Sequence, residues 1–226
     1  YVFPPLPTPS LPIEGHQDRF PVHRIYCVGR NYADHALEMG GDPEREPPFF
    51  FSKPADAIVE SGKNIPYPSA TENLHFEMEL VLAIGKDGKA ADPSEADDFI
   101  FGYAAGVDLT RRDLQADAKR QGRPWDSAKG FDYSAPCSSI LTASDIEDIS
   151  TAAISLEVDG VLKQNAKISD MIWSPPEIIV HLSALFELRA GDLIFTGTPA
   201  GVGPLSSGSQ VTGTVEGLPP VIFSIR

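Results

Sequence analysis

The chain reads as α+β, mainly β: a mixed β-roll or sandwich with a few short helices. Three observations predict this. Residues 75–84, His-Phe-Glu-Met-Glu-Leu-Val-Leu-Ala-Ile, alternate with the period of a strand. The C-terminal third holds short strand-like runs at 192–196, 210–215 and 221–225, separated by Gly- and Pro-containing turns. Helix signals appear in only three places and never alternate with strands as a parallel α/β sheet requires, which makes a Rossmann or barrel reading poor.

In chain order, residues 1–23 form a leader. Phe-Pro-Pro-Leu-Pro-Thr-Pro-Ser-Leu-Pro at 3–12 cannot be helical and runs extended, either as an SH3-type ligand or lying over its own or a neighbouring subunit. The domain proper is expected over 24–226. It opens with a buried strand, Arg24 to Gly29. Asn31 is expected to cap a helix from Tyr32 to Met39 that Gly40-Gly41 stop. Asp42 to Pro48 reads as an exposed connection; Phe49-Phe50-Phe51 returns to the core and Ser52-Lys53-Pro54 closes that strand.

In the strand at 75–84, Phe76, Met78, Leu80, Leu82 and Ile84 share one face, and Glu77, Glu79, Val81 and Ala83 the other. Phe99 to Leu109 reads as a second buried strand. Thr110 is expected to cap a helix to about Gln121, with Gly122 behind it. Asp159-Gly160 between two alternating runs signals a hairpin. Ser174-Pro175-Pro176-Glu177 starts a helix with a capping box, expected to run to about Leu188 before Gly191.

At 226 residues and 42% hydrophobic, the chain can bury one sizeable core. A formal net charge of -14 argues against nucleic acid or an anionic membrane as a partner held by bulk electrostatics. No apolar run is long enough to span a bilayer. Cys27 and Cys137 lie in apolar surroundings without metal spacing, which points to buried, reduced thiols in a cytoplasmic protein.

Glu77 and Glu79 carry the strongest functional signal. Their strand face turns apolar after Glu79, so two carboxylates sit where a strand enters the interior. Paired carboxylates in such a place repel each other and resist desolvation; a hard cation such as Mg²⁺, Mn²⁺ or Ca²⁺ relieves both costs. A salt-bridged strand face is the plainer alternative. Asp108 repeats the pattern at the end of Tyr103 to Val107, either as a third oxygen ligand or as a helix cap. His35 and Glu38 share a helix face, as a general-base pair for water or as an ordinary surface pair. Arg111 and Arg112 sit in a first helical turn, where the dipole disfavours cations, with Gln115 one turn on; Asp108 and Asp113 could simply neutralise them. Lys129, amid aromatic and small residues, could stabilise an oxyanion or pair with Asp126 or Asp132. The glycines of Thr196-Gly197-Thr198-Pro199-Ala200-Gly201-Val202-Gly203 would let backbone N–H groups approach a carboxylate, if this is more than a plain strand-end loop.

These blocks together resemble the fumarylacetoacetate hydrolase family from about Arg24 onward. The blocks are Cys27-Val28-Gly29-Arg30-Asn31-Tyr32 with His35 and Glu38, Ser52-Lys53-Pro54, and His75-Phe76-Glu77-Met78-Glu79-Leu80. Asp108-Leu109-Thr110-Arg111-Arg112-Asp113-Leu114-Gln115, Trp125 with Lys129, and the 196–203 loop complete the set. The leader and Glu46 to Pro54 are most similar to bacterial members that cleave fumarylpyruvate in gentisate breakdown. The resemblance implies a mixed β-roll, usually dimeric, that hydrolyses a C–C bond of a 2,4-diketo acid with Mg²⁺ or Mn²⁺. By the same resemblance Glu77, Glu79 and Asp108 are the metal ligands, and His35 and Glu38 the water-activating pair on a lid helix. Lys129 and Gln115 surround the reacting carbonyl. Arg30 and Thr198 contact the substrate carboxylate, and Lys53 stands at a substrate position or behind it. Apart from the resemblance, a fumaryl tail would place a second carboxylate far from the metal, where Arg112 or Arg45 could meet it. Competing readings are a broader acylpyruvase or oxaloacetate decarboxylase, a non-catalytic protein with a structural Ca²⁺ site, and a proline-rich adaptor.

Overall fold

The computed structural model describes residues 1–38 and 46–226. The expectations placed on Met39 to Arg45, including the Gly40-Gly41 helix stop and the role of Arg45, lie outside the described residues.

The centre is an eight-stranded mixed sheet. Its strands lie in the order Phe49–Lys53, Ile25–Gly29, Leu193–Phe195, Met78–Ile84, Ile100–Val107, Ala135–Cys137 and Ile58–Glu60, with Leu141–Thr142 also paired to Ile100–Val107. Every residue of Met78–Ile84 is buried, because the sheet is covered on both sides. Met78, Leu80, Leu82 and Ile84 pack into the larger core with Ile178, Ile179 and Leu182 of the helix Pro175–Leu185 and with Ile154, Leu156, Val211 and Phe223. Val81 and Ala83 pack on the opposite face with Ile25, Cys27 and Phe195, and with Leu11, Phe20 and Val22. The leader therefore contributes apolar cover to the second core. Its segments Ser10–Pro12 and Arg19–Pro21 pair antiparallel.

A five-stranded sheet faces the larger core in the order Val161–Lys167, Ala153–Val158, Gln210–Val215, Val221–Ile225 and Asn64–Ile65. The predicted hairpin forms: Asp159 and Gly160 take φ of 53° and 74°, the left-handed pair that matches strand twist. The two sheets meet at Gly213, where a Cβ would stand 2.4 Å from Met78 Sδ.

Three predicted helices are present, as Ala33–Glu38, Arg112–Gln121 and Pro175–Leu185, and the short helices Pro93–Ala96 and Asp126–Lys129 join them. The Ser174/Glu177 capping box is made, but this helix ends at Leu185, since Phe186 is extended. Gly122 is left-handed at φ 62° and its N–H closes onto the carbonyls of Ala118 and Lys119. Two expected caps do not form. Thr110 pairs with His75 in a strand, and Arg111 takes the N-cap position. Asn31 uses its side chain between loops: its amide donates to the carbonyls of Trp173 and Thr196 and accepts from Trp173 N. A polar side chain with two distant loops in reach satisfies more buried backbone there than at its own helix end.

The expected continuous strand at 75–84 is broken at Glu77. Leu74–Phe76 belongs to a separate three-stranded sheet between Thr110–Arg111 and Gly203–Leu205. Met78 N, which begins the next strand, donates to Gln164 Oε1 at 3.0 Å. The strand expected over 99–109 likewise stops at Val107. Both breaks lie at one level, because Met78 pairs with Val107 and His75 with Thr110. Cys27 and Cys137 are buried and free. Among the described residues no helix is long and apolar enough to cross a membrane.

Candidate metal centre and active site

The double break builds the site. Two antiparallel strands leave the eight-stranded sheet together, and the residues at the corner, Glu77 and Asp108, face each other, with Asp108 N donating to Glu77 O at 2.8 Å. Glu79 lies two residues along from Glu77, on the same side, opposite Gly106. Antiparallel register thus gathers three acids from two strands. One carboxylate oxygen from each lies within 4.8 Å of the others, and all three residues are buried.

The charges of these acids are met unequally. Lys129 Nζ donates to Glu77 Oε2 at 2.8 Å and to Asp108 Oδ2 at 2.6 Å. Arg112 Nη2 donates to Glu77 Oε1 at 2.5 Å. Burial alone would raise the Glu77 carboxyl, but the Lys129 ammonium and the Arg112 guanidinium hold it below the ordinary carboxylate range. Burial lowers Lys129 less than Asp108 and Glu77 raise it. Glu79 has a backbone partner, accepting from Gly197 N at 2.7 Å. Burial, followed by the neighbouring charges of Asp108 and Glu77, pushes its carboxyl well above the ordinary value. Asp108 Oδ1 lies 2.7 Å from Lys53 Nζ but outside hydrogen-bond geometry, so this buried oxygen has no hydrogen-bond partner among the described residues. Three convergent, buried hard oxygen donors suit a divalent Mg²⁺ or Mn²⁺ ion.

Glu77 and Glu79 floor a narrow cavity of about 30 Å³ whose walls include Arg30, His35, Phe49, Phe51, Arg112, Gln115, Trp125, Lys129 and Thr198. His35 is buried, and its Nδ1 lies 3.1 Å from Glu38 Oε2. That carboxylate also accepts from Gly201 N at 3.2 Å, tying the end of the short helix to the glycine loop. The glycine-loop N–H groups do approach carboxylates, as the sequence suggests, but those named here are the protein's own: Glu79 and Glu38. Gly197 allows this with φ of 96° and a virtual Cβ 2.7 Å from Asn31 Cβ. Thr198 is buried, and its Oγ1 accepts from Gln164 Nε2 at 2.8 Å. Gln115 is buried with Oε1 accepting from Arg112 Nη1 at 2.6 Å. Arg30 sits in the left-handed region at φ 59°, with its guanidinium 5.9 Å from the centre of the Phe49 ring.

Lys53 and Arg112 are both tied to the acid cluster. Lys53 is not among the cavity walls: its side chain is fully buried behind Asp108, and Nζ donates to the carbonyls of Leu109 and Lys129. Its ammonium thus backs the acid cluster from behind Asp108. Arg112 lines the cavity, but its guanidinium is held by Glu77 and Gln115. Sequence reasoning passed over several participants. His75 accepts from Arg112 Nε at 3.4 Å and contacts Asn73 Oδ1 at 2.9 Å; burial, with the Arg112 charge, lowers it to about 4, so it is neutral at pH 7. Lys119 also lines the cavity, with its ammonium 5.3 Å from the Trp125 ring centre. Its spacing could have been read: 112, 115 and 119 fall on one helix face.

Comparison with known proteins follows the same line. Residues 24–226 match the family model described as fumarylacetoacetate (FAA) hydrolase C-terminal. A fumarylpyruvate hydrolase of Ralstonia sp is 44% identical over 184 residues, 81% of this chain and 95% of that protein. The mitochondrial oxaloacetate tautomerase of Arabidopsis thaliana is 42% identical over 203 residues, 90% of this chain and 91% of that protein. Among solved structures, fumarylpyruvate hydrolase from Pseudomonas aeruginosa, in complex with Mn²⁺ and pyruvate, superposes with a TM-score of 0.97 at 50% identity, covering 100% of this chain and 98% of that one.

Proposed function

The chain belongs to the fumarylacetoacetate hydrolase family, and on that footing we propose that it hydrolyses the C3–C4 bond of a 2,4-diketo acid, foremost fumarylpyruvate to fumarate and pyruvate. The observation that carries this reading is that His35, paired with Glu38, lines the same cavity as Glu77 and Glu79, the two acids that cluster with Asp108. A bound Mg²⁺ or Mn²⁺ ion supplies Lewis acidity at the 2-oxo acid end of the substrate.

Glu77, Glu79 and Asp108 hold that ion. Glu38 holds His35 through Nδ1, which leaves Nε2 to take the proton from water as the water adds to C4. Lys129 Nζ and the Gln115 amide stabilise the oxygen that gains charge at C4. The electron pair of the C3–C4 bond leaves with the pyruvate half, which takes up a proton, while the acyl half keeps the added hydroxyl. Arg30 and Thr198 orient the substrate's carboxylate. A place in gentisate breakdown, a homodimer and a cytoplasmic location accompany this reading.

The oxaloacetate tautomerase relative makes oxaloacetate the rival substrate. The test is a panel of fumarylpyruvate, acetylpyruvate and oxaloacetate with added Mg²⁺ or Mn²⁺, following loss of diketone absorbance and release of pyruvate. Fumarylpyruvate is expected to be fastest. Turnover of oxaloacetate with no cleavage of either diketone would overturn the reading. His35→Ala is expected to retain Mn²⁺ binding and to lose about two to four decades of turnover.

A further inference from the structure

The cavity gathers four cations, Arg30, Arg112, Lys119 and Lys129, in a chain whose net charge is -14. Two of them are held by acids of the cluster: Lys129 by Glu77 and Asp108, and Arg112 by Glu77. The other two, Arg30 and Lys119, have no carboxylate partner among the described residues, and each is set against an aromatic ring, Phe49 or Trp125. Phe49 and Phe51 pack on Trp125 with ring centres 5.3 and 5.6 Å apart, so these three rings form one continuous apolar wall. Burial, then the charges of Arg112 and Arg30, lowers the Lys119 ammonium below its ordinary value, as expected where cations crowd without a counter-ion.

A 2,4-diketo acid that carries a second carboxylate presents a flat, conjugated acyl group and then a negative charge. The wall offers the first a surface, and the unpaired cations offer the second a partner. Lys119 is the one on the same helix face as Arg112 and Gln115, one turn beyond Gln115 and two beyond Arg112. We propose that Lys119 receives the far carboxylate of a dicarboxylic diketo acid, and so sets the preference for a charged acyl group over a neutral one. This rests on the diketo-acid hydrolase reading. It moves the distal contact away from Arg112, whose guanidinium the acid cluster already holds.

The test compares wild type, Lys119→Met and Lys119→Arg on fumarylpyruvate and acetylpyruvate, with fumarate binding by calorimetry on the Mn²⁺-loaded protein. Lys119 is an exposed residue, so both variants should fold, and circular dichroism checks this. The ratio of kcat/KM for fumarylpyruvate to that for acetylpyruvate should fall about 10- to 50-fold in Lys119→Met. The fall should lie mainly in KM, with partial recovery in Lys119→Arg and a matching loss of fumarate affinity. An unchanged ratio would overturn the proposal, whether both substrates slow equally or neither does. If wild type cleaves neither diketo acid, it is the hydrolase reading that fails; fumarate affinity then judges Lys119 alone, and a Kd unchanged in Lys119→Met overturns its role.

Discussion

The two ends of the cavity handle charge in opposite ways. At the floor, Glu77 and Asp108 lie within hydrogen-bond or ion-pair distance of Lys129, Arg112 or Lys53, and Glu79 takes a backbone N–H. At the mouth, Arg30 and Lys119 rest on aromatic rings with no acid partner among the described residues. A buried charge must be compensated inside the fold, whereas a charge at an opening can be left for a ligand to meet. On the proposed reading the floor therefore serves structure and chemistry at once, and the mouth serves recognition.

The hardest blow to this contrast is Asp108→Ala. It removes a proposed metal ligand and leaves the ammonium groups of Lys53 and Lys129 short of a partner in a dry interior. Calorimetry should show Mn²⁺ binding lost, and denaturant unfolding should show a stability loss of about 3–5 kcal/mol, the scale of a broken buried ion pair. Retained stability would mean that the floor's ion pairs contribute little, and the contrast with the mouth would collapse. A smaller effect is expected from Gly197→Ala. The added methyl meets Asn31 at a residue with φ of 96° and disturbs the N–H that Glu79 accepts. Mn²⁺ affinity should weaken about tenfold, as when a partner of a metal ligand is altered. The mildest test sharpens the other end. Raising ionic strength should lower kcat/KM for fumarylpyruvate a few-fold more than for acetylpyruvate, because charges at an opening are screened. Equal slopes for the two substrates would remove the mouth's role in attracting the second carboxylate.

The Asp159-Gly160 turn, the Ser174/Glu177 capping box and the left-handed Gly122 were legible because each depends on a few adjacent residues. Thr110 and Asn31 were misread as caps for a complementary reason. Their local chemistry permits capping, but partners far along the chain, His75 for Thr110 and Thr196 and Trp173 for Asn31, offer better satisfaction. The break at Glu77 was hidden because alternation continues straight through it, and only Gln164, 86 residues away, supplies the bond that Met78 N makes.

The same division holds for the site. Residue order alone offered the candidates, since alternation marks Glu77 and Glu79 for one side and His35 and Glu38 share a helical turn. Tertiary structure alone decided which cations each acid keeps. It set Lys53 behind Asp108, locked Arg112 onto Glu77 and left Lys119 without an acid partner among the described residues. Local periodicity fixes direction along a single element, whereas ion pairing depends on distances between elements, and those exist only once the sheets have packed.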